Sequence, residues 1–196
     1  MGRHTEVLRD LAGEIFASDI VTELFMVARM DRPVLEKVIA FDLRLGGPSF
    51  TTVNHGTGGR YEGDDRDVFR PFQYCTAYFH QMLGGDINEW QAREIVKMSS
   101  LHLEALVKRT GNVINLPLGQ ALRNVVAKRR IDPATWNQLD RYTRIYNAAK
   151  HAFDHDKDTH MFSVEDAILA YFVCRGLGAK LYPLANLATN LQVFAS

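Results

Sequence analysis

The stretch RIYNAAKH, Arg144 to His151, places an arginine, an asparagine and a histidine three and four residues apart. At about 100° per residue, Arg144, Asn147 and His151 share one side of an α-helix, with Arg144 and His151 two turns apart. Histidine takes up and returns a proton near neutral pH. Arginine offers a permanent charge in a planar fork, suited to phosphate oxygens on which negative charge is building. The Asn147 amide can orient either a substrate or the imidazole. This set suits attack of a ribose 2′-hydroxyl on the adjacent phosphodiester, a reaction that requires no metal. Arg144, Asn147 and His151 are therefore the candidate catalytic residues.

The sequence that follows, DHDKDTHMFSVE, permits a second chemistry. Asp154, Asp156 and Asp158 occupy positions 1, 3 and 5, and Glu165 position 12, of a spacing that resembles the EF-hand calcium loop. Thr159 stands at position 6, where that loop uses glycine to reach positive φ. No second loop of this kind occurs in the chain. His151, His155 and His160, with the same aspartates, offer zinc as an alternative. The loop also reads as a plain acidic connector before a helix that Ser163 caps.

These side chains need a scaffold, and the hydrophobic pattern supplies helices. Val7, Leu8, Leu11, Ile15, Phe16, Ile20, Leu24 and Val27 recur at threes and fours, which predicts one helix over 4–30. Asp31-Arg32-Pro33 breaks it and starts a second, to about Leu45. Further helices are expected over 66–83, 87–110 and 117–129. Asp132-Pro133 opens the helix that carries the motif, 133–153, and Ser163 to Asp166 is a capping-box-like start for a last helix through Lys180. On the motif helix Leu139, Tyr142, Tyr146, Ala149 and Phe153 lie opposite Asn137, Asp140, Arg141, Arg144, Asn147 and His151. Six of the twenty residues of 46–65 are glycine, which excludes a long helix there. A loop is expected, or a short hairpin pairing Phe50–Val53 with Arg60-Tyr61. The GTGG within it lacks the Lys-Ser/Thr of a phosphate loop. The chain thus reads as all-α, a bundle of six or seven helices with one glycine-rich excursion. We divide its single domain into 1–65, a helical core over 66–182, and a tail over 183–196.

Composition narrows the function classes. The 23 basic and 23 acidic residues cancel, so nucleic acid would have to be held by a local patch rather than by overall charge. Arg123, Lys128, Arg129, Arg130, Arg141 and Lys150 lie on or before the motif helix and are the candidate RNA-binding residues. Lys128-Arg129-Arg130 equally suits the C-terminal end of a helix. Cys75 and Cys174 sit in apolar contexts and read as reduced core residues of a cytoplasmic protein. No secretory leader pattern and no apolar run near the ~18 residues of a membrane span is present. His4, His55, His80 and His102 are isolated and read as surface or core residues.

The helix 133–153 and its surroundings resemble the HEPN superfamily. Its signature is an arginine, four to six residues, then a histidine, on the penultimate long helix of an all-α domain. Here Arg144 and His151 are separated by six residues, and the resemblance covers about 87–182. It implies a homodimer whose two motif helices face a shared cleft. It also implies metal-independent RNA cleavage in active members, or RNA binding and scaffolding in inactive ones. Proteins of this kind are often toxins or defence effectors, so an antitoxin-like protein partner is a further expectation. The rival reading is a non-catalytic helical interaction or dimerisation module; a calcium-binding helical protein is the third.

Overall fold

The computed structural model describes residues 3–30, 34–53, 65–85, 89–128, 130–151 and 161–187. Among these, nine α-helices and no strands occur: α1 Arg3–Ile15, α2 Ser18–Arg29, α3 Leu35–Leu45, α4 Phe50–Val53, α5 Arg66–Gly84, α6 Glu89–Gly111, α7 Leu118–Ala127, α8 Pro133–Lys150 and α9 Val164–Leu181. The all-α class is as expected. The count exceeds the expected six or seven for two local reasons.

The first is that 4–30 is two helices. Ala17 is extended (φ −63°, ψ 155°) and separates α1 from α2. Both helices lay an apolar face on the same neighbour, so the periodicity runs on across the break and conceals it. The break lets Ile15 and Phe16 close onto Gly176 of α9. A Cβ on Gly176 would lie 2.4 Å from Ile15 Cγ2 and 2.8 Å from Phe16 Cζ. Gly176→Ala is therefore expected to destabilise the fold by about 1–3 kcal/mol through overpacking, although alanine is the better helix former. Urea denaturation checks this, and Ile15→Ala in the same chain should recover part of the loss.

The second reason is α4. Phe50–Val53, expected as loop or as one strand of a hairpin, is a helical turn. Gly46 and Gly47, at φ 67° and 71°, reverse the chain after α3. Ser49 and Thr52 then cap the turn reciprocally. Thr52 N–H donates to Ser49 Oγ (3.2 Å), and Ser49 N–H donates to Thr52 Oγ1 (2.9 Å). Phe50 is thereby driven inward, stacked on Phe79 and edge-on to Tyr171. The remainder of the glycine-rich stretch, with Arg60-Tyr61, lies outside the described residues.

α9 is the centre of the core. Every residue from Asp166 to Gly178 is buried, as expected of a helix that is apolar nearly all round. It packs on α6, α1, α2 and α8; α5 lies along α6, and α7 bridges α6 and α8. The buried apolar side chains form one cluster. The capping box read from the sequence is present: Ser163 Oγ accepts from Asp166 N–H (3.1 Å), and Asp166 Oδ2 accepts from Ser163 N–H (2.9 Å). Thr5 Oγ1 donates to the other oxygen of Asp166 (2.7 Å), which ties the start of α1 to the start of α9. No helix among the described residues is long and apolar enough to cross a membrane.

Candidate functional site

α8 begins where the sequence places it. Asp132 accepts from Thr135 N–H (2.9 Å) and Thr135 Oγ1 (2.7 Å), and Pro133 follows in the first turn. The backbone and side-chain bonds from Thr135 hold the Asp132 carboxyl below its ordinary range. The inner face is Leu139, Tyr142, Ile145, Tyr146 and Ala149, all buried. Tyr142 Oη is hydrogen-bonded to Ser100 Oγ (3.0 Å), and Tyr146 donates to Glu104 Oε2 (2.8 Å). Ile145 belongs to this inner face, so the residue directly after the motif arginine points into the core.

The helix ends one turn earlier than expected. Its last helical residue is Lys150, and His151 is the C-cap, its N–H donating to Asn147 O (3.1 Å). What secures this end comes from another helix. Arg93 of α6, itself buried, donates from Nε to Ala149 O (2.8 Å), satisfying a carbonyl in the last turn of α8. Its guanidinium also lies over the ring of Trp90, 5.5 Å from the centroid. Nothing in WQAREIV distinguishes Arg93 from an ordinary surface arginine; only the packing of α6 on α8 reveals its role.

Arg144, Asn147 and His151 are all exposed on the outward side of this anchored helix. The Arg144 side chain is 80% exposed and, among the described residues, pairs with Asp140, one turn earlier, at 3.3 Å. An exposed pair of this kind contributes about 0.3–0.5 kcal/mol and leaves the guanidinium available to an incoming anion.

The candidate RNA-binding residues are placed differently. Lys128 donates to Gly111 O (3.2 Å) and Arg130 to Thr110 O (2.6 Å), so both complement the C-terminal end of α6. Arg141 is paired with Glu14 and thus belongs to the α1–α8 seam. That contact is also the chief cause of the lowered Glu14 carboxyl pKa. Lys150 reaches Glu104 at 3.3 Å and lies 4.0 Å from the Tyr146 ring centroid. Arg123 is exposed on α7, and Arg129 lies outside the described residues. Of these cations and Arg144, four (Lys128, Arg130, Arg141 and Lys150) are engaged with other helices.

Metal-binding expectations fall mostly outside the described residues: Asp154, Asp156, Asp158, His155 and His160 all do so. Glu165, the described member of the calcium set, is ion-paired with Arg9. Among the described residues no group of three or more histidine, cysteine or acidic side chains could hold a metal ion. Cys75 and Cys174 are buried free thiols, and burial pushes both pKa values up, that of Cys174 to about 12.

Comparison with protein-family models, with characterised proteins and with solved structures returns no match. The local chemistry of α8 and its neighbours must therefore carry the functional reading.

Proposed function

We propose that this chain is a HEPN-like, metal-independent endoribonuclease that works as a homodimer through the outward side of α8. The observation that carries the reading is the exposed row Arg144, Asn147 and His151 on a helix whose inner face, start and last turn are all fixed. A convex helix surface cannot enclose a phosphate alone, so a second copy of α8 supplies the opposite wall. Within that cleft the 2′-oxygen of the RNA forms a bond to phosphorus and the 5′-oxygen leaves, giving a 2′,3′-cyclic phosphate. One His151 imidazole takes the 2′-hydroxyl proton, and an imidazolium, that of the other copy, returns a proton to the leaving oxygen. Arg144 stabilises the charge on the non-bridging oxygens, and Asn147 orients the substrate. A toxin or defence role, with a protein antidote, follows from the same resemblance.

The test is cleavage of single-stranded RNA by the purified chain in EDTA, with mass measured in solution. Cleavage that persists in EDTA, leaves cyclic phosphate ends and is lost in His151→Ala and Arg144→Ala supports the proposal. A folded dimer that leaves RNA intact would instead establish the interaction-module reading, which the Arg144–Asp140 pair already accommodates.

A further inference from the structure

A groove of about 540 Å³ runs between α5 and α6, and α8 contributes no residue to it. Its floor is apolar: Pro71 from α5, Met98, Leu101 and Ala105 from α6, and Ile114 just beyond α6. Ile114 is 65% exposed and Tyr74, on the wall, 43% exposed, so apolar surface is left open to solvent here. The volume falls in the range of about 300–1,000 Å³ typical of small-molecule sites.

The charges around this floor are unevenly matched. Asp67 is taken by Arg109 Nη2 (2.5 Å) and Nε (3.2 Å). Glu104 is taken by Lys108 (2.7 Å), Lys150 (3.3 Å) and the Tyr146 hydroxyl (2.8 Å). Burial raises the Glu104 pKa, but these hydrogen bonds and charges outweigh it and hold the carboxyl low. Among the described residues, both carboxylates that line the groove are therefore occupied by other cations. Arg66 and Arg70, one turn apart on α5 and both exposed, have no carboxylate partner among the described residues. Arg70 has the Tyr74 ring beneath it, 5.6 Å from guanidinium to centroid.

Two like charges at this spacing repel one another, and Arg66 stands in the first turn, where the helix dipole disfavours a cation. The Tyr74 ring favours Arg70, but no carboxylate among the described residues offsets the repulsion between the two guanidiniums. An oxyanion bridging the two guanidiniums would relieve both costs, with bidentate geometry available at each.

We propose that the α5–α6 groove binds an amphipathic oxyanion, an apolar acyl or aromatic body carrying one carboxylate or phosphate head. The body lies on Met98, Leu101 and Ala105, and the head meets Arg66 and Arg70. This site is independent of the ribonuclease reading and stands or falls separately from it.

Calorimetric titration of the full chain with octanoate, octyl phosphate and octanol tests the proposal. The anions are expected to bind at least about tenfold more tightly than the alcohol, a difference of about 1.4 kcal/mol. The tighter of the two anions names the head. Arg66→Gln/Arg70→Gln should bring the anions to the level of octanol while leaving octanol binding unchanged. Ala105→Glu should abolish all three. Octanol binding as tightly as the anions would overturn the proposal, as would an anion preference that survives in the double variant. No binding of any probe at millimolar concentration would also overturn it. So would binding of an acidic amphipathic helical peptide where no alkyl anion binds, which would mark a protein-docking groove instead.

Discussion

Asp42→Ala is expected to remove about 3–5 kcal/mol of folding stability, the cost of breaking a buried ion pair by deleting one partner. Asp42 is fully buried at the end of α3 and Arg175 lies 5% exposed in the middle of α9. Arg175 Nη1 donates to Asp42 Oδ1 (2.6 Å) and to Asp42 O (2.9 Å), and Nη2 donates to Gly46 O. The same carboxylate accepts from Tyr171 Oη (2.9 Å) and from Thr51 Oγ1 (2.6 Å). Tyr171 Oη in turn accepts from Phe50 N–H (2.8 Å). One carboxylate thus gathers α3, α4 and α9, and holds the turn that begins at Gly46. Without it the guanidinium keeps its charge but loses its counter-ion in a dry setting, where Nε already has no hydrogen-bond partner among the described residues. For a chain of this size the loss corresponds to a fall in Tm of about 10 °C. Asp42→Ala/Arg175→Met should recover most of it, because the buried charge is removed along with its partner. A single variant that melts within a degree of the parent would show that the pair contributes nothing.

That network marks the limit of what the sequence discloses. Asp42 in VIAFDL and Arg175 in FVCRGLG each interrupt an apolar run, and their opposite signs invite pairing. Yet they lie 133 residues apart, and no local rule joins them. Features fixed within a few residues were legible. Asp132-Pro133 and Ser163 to Asp166 start α8 and α9 because a cap is satisfied by its own next turn. The inner and outer sides of α8 are legible as well, since 3.6-residue periodicity separates them; Ile145, absent from the expected inner set, joins that buried face. Features settled by a partner helix were not. The break at Ala17 exists to seat Ile15 and Phe16 on Gly176. The partners of Lys128, Arg130, Arg141 and Lys150 come from α6 and α1, so a cluster of cations in sequence became scattered, answered charges in space. Arg66 and Arg70, the groove-lining cations that have no carboxylate partner among the described residues, look no different in the sequence from Arg109, which is engaged by both Asp65 and Asp67.

His102 makes this fold less stable as the pH falls below about 6.5. The residue is fully buried on α6, stacked 4.1 Å from the Phe72 ring centroid. Its Nδ1 lies 2.6 Å from Val68 O, and its Nε2 lies 2.9 Å from Tyr182 Oη. A carbonyl only accepts, so Nδ1 carries the proton, and the neutral ring then accepts the Tyr182 hydroxyl hydrogen at Nε2. Burial disfavours the charged ring and Arg175 adds to that, while the bond to Val68 opposes it; the pKa falls from 6.5 to about 4. With the folded value depressed, the unfolded chain binds more protons between about pH 6.5 and 4, so stability falls as pH falls through that window. From about pH 7 to 4.5 this one group should cost about 2 kcal/mol. His102→Gln isolates it, since glutamine can donate to Val68 and accept from Tyr182 without titrating. The variant should be less stable than the parent near pH 7, by the imperfect fit of the amide. The difference should then shrink by about 2 kcal/mol on acidification to about pH 4.5, because only the parent loses this contribution. Urea denaturation of the two chains at both pH values measures it, with the carboxylates they share cancelling in the comparison. A constant difference across the window would mean that the ring titrates in the folded protein as it does in the unfolded chain, and that the packing of Phe72 and Tyr182 around it does not exclude the charged form.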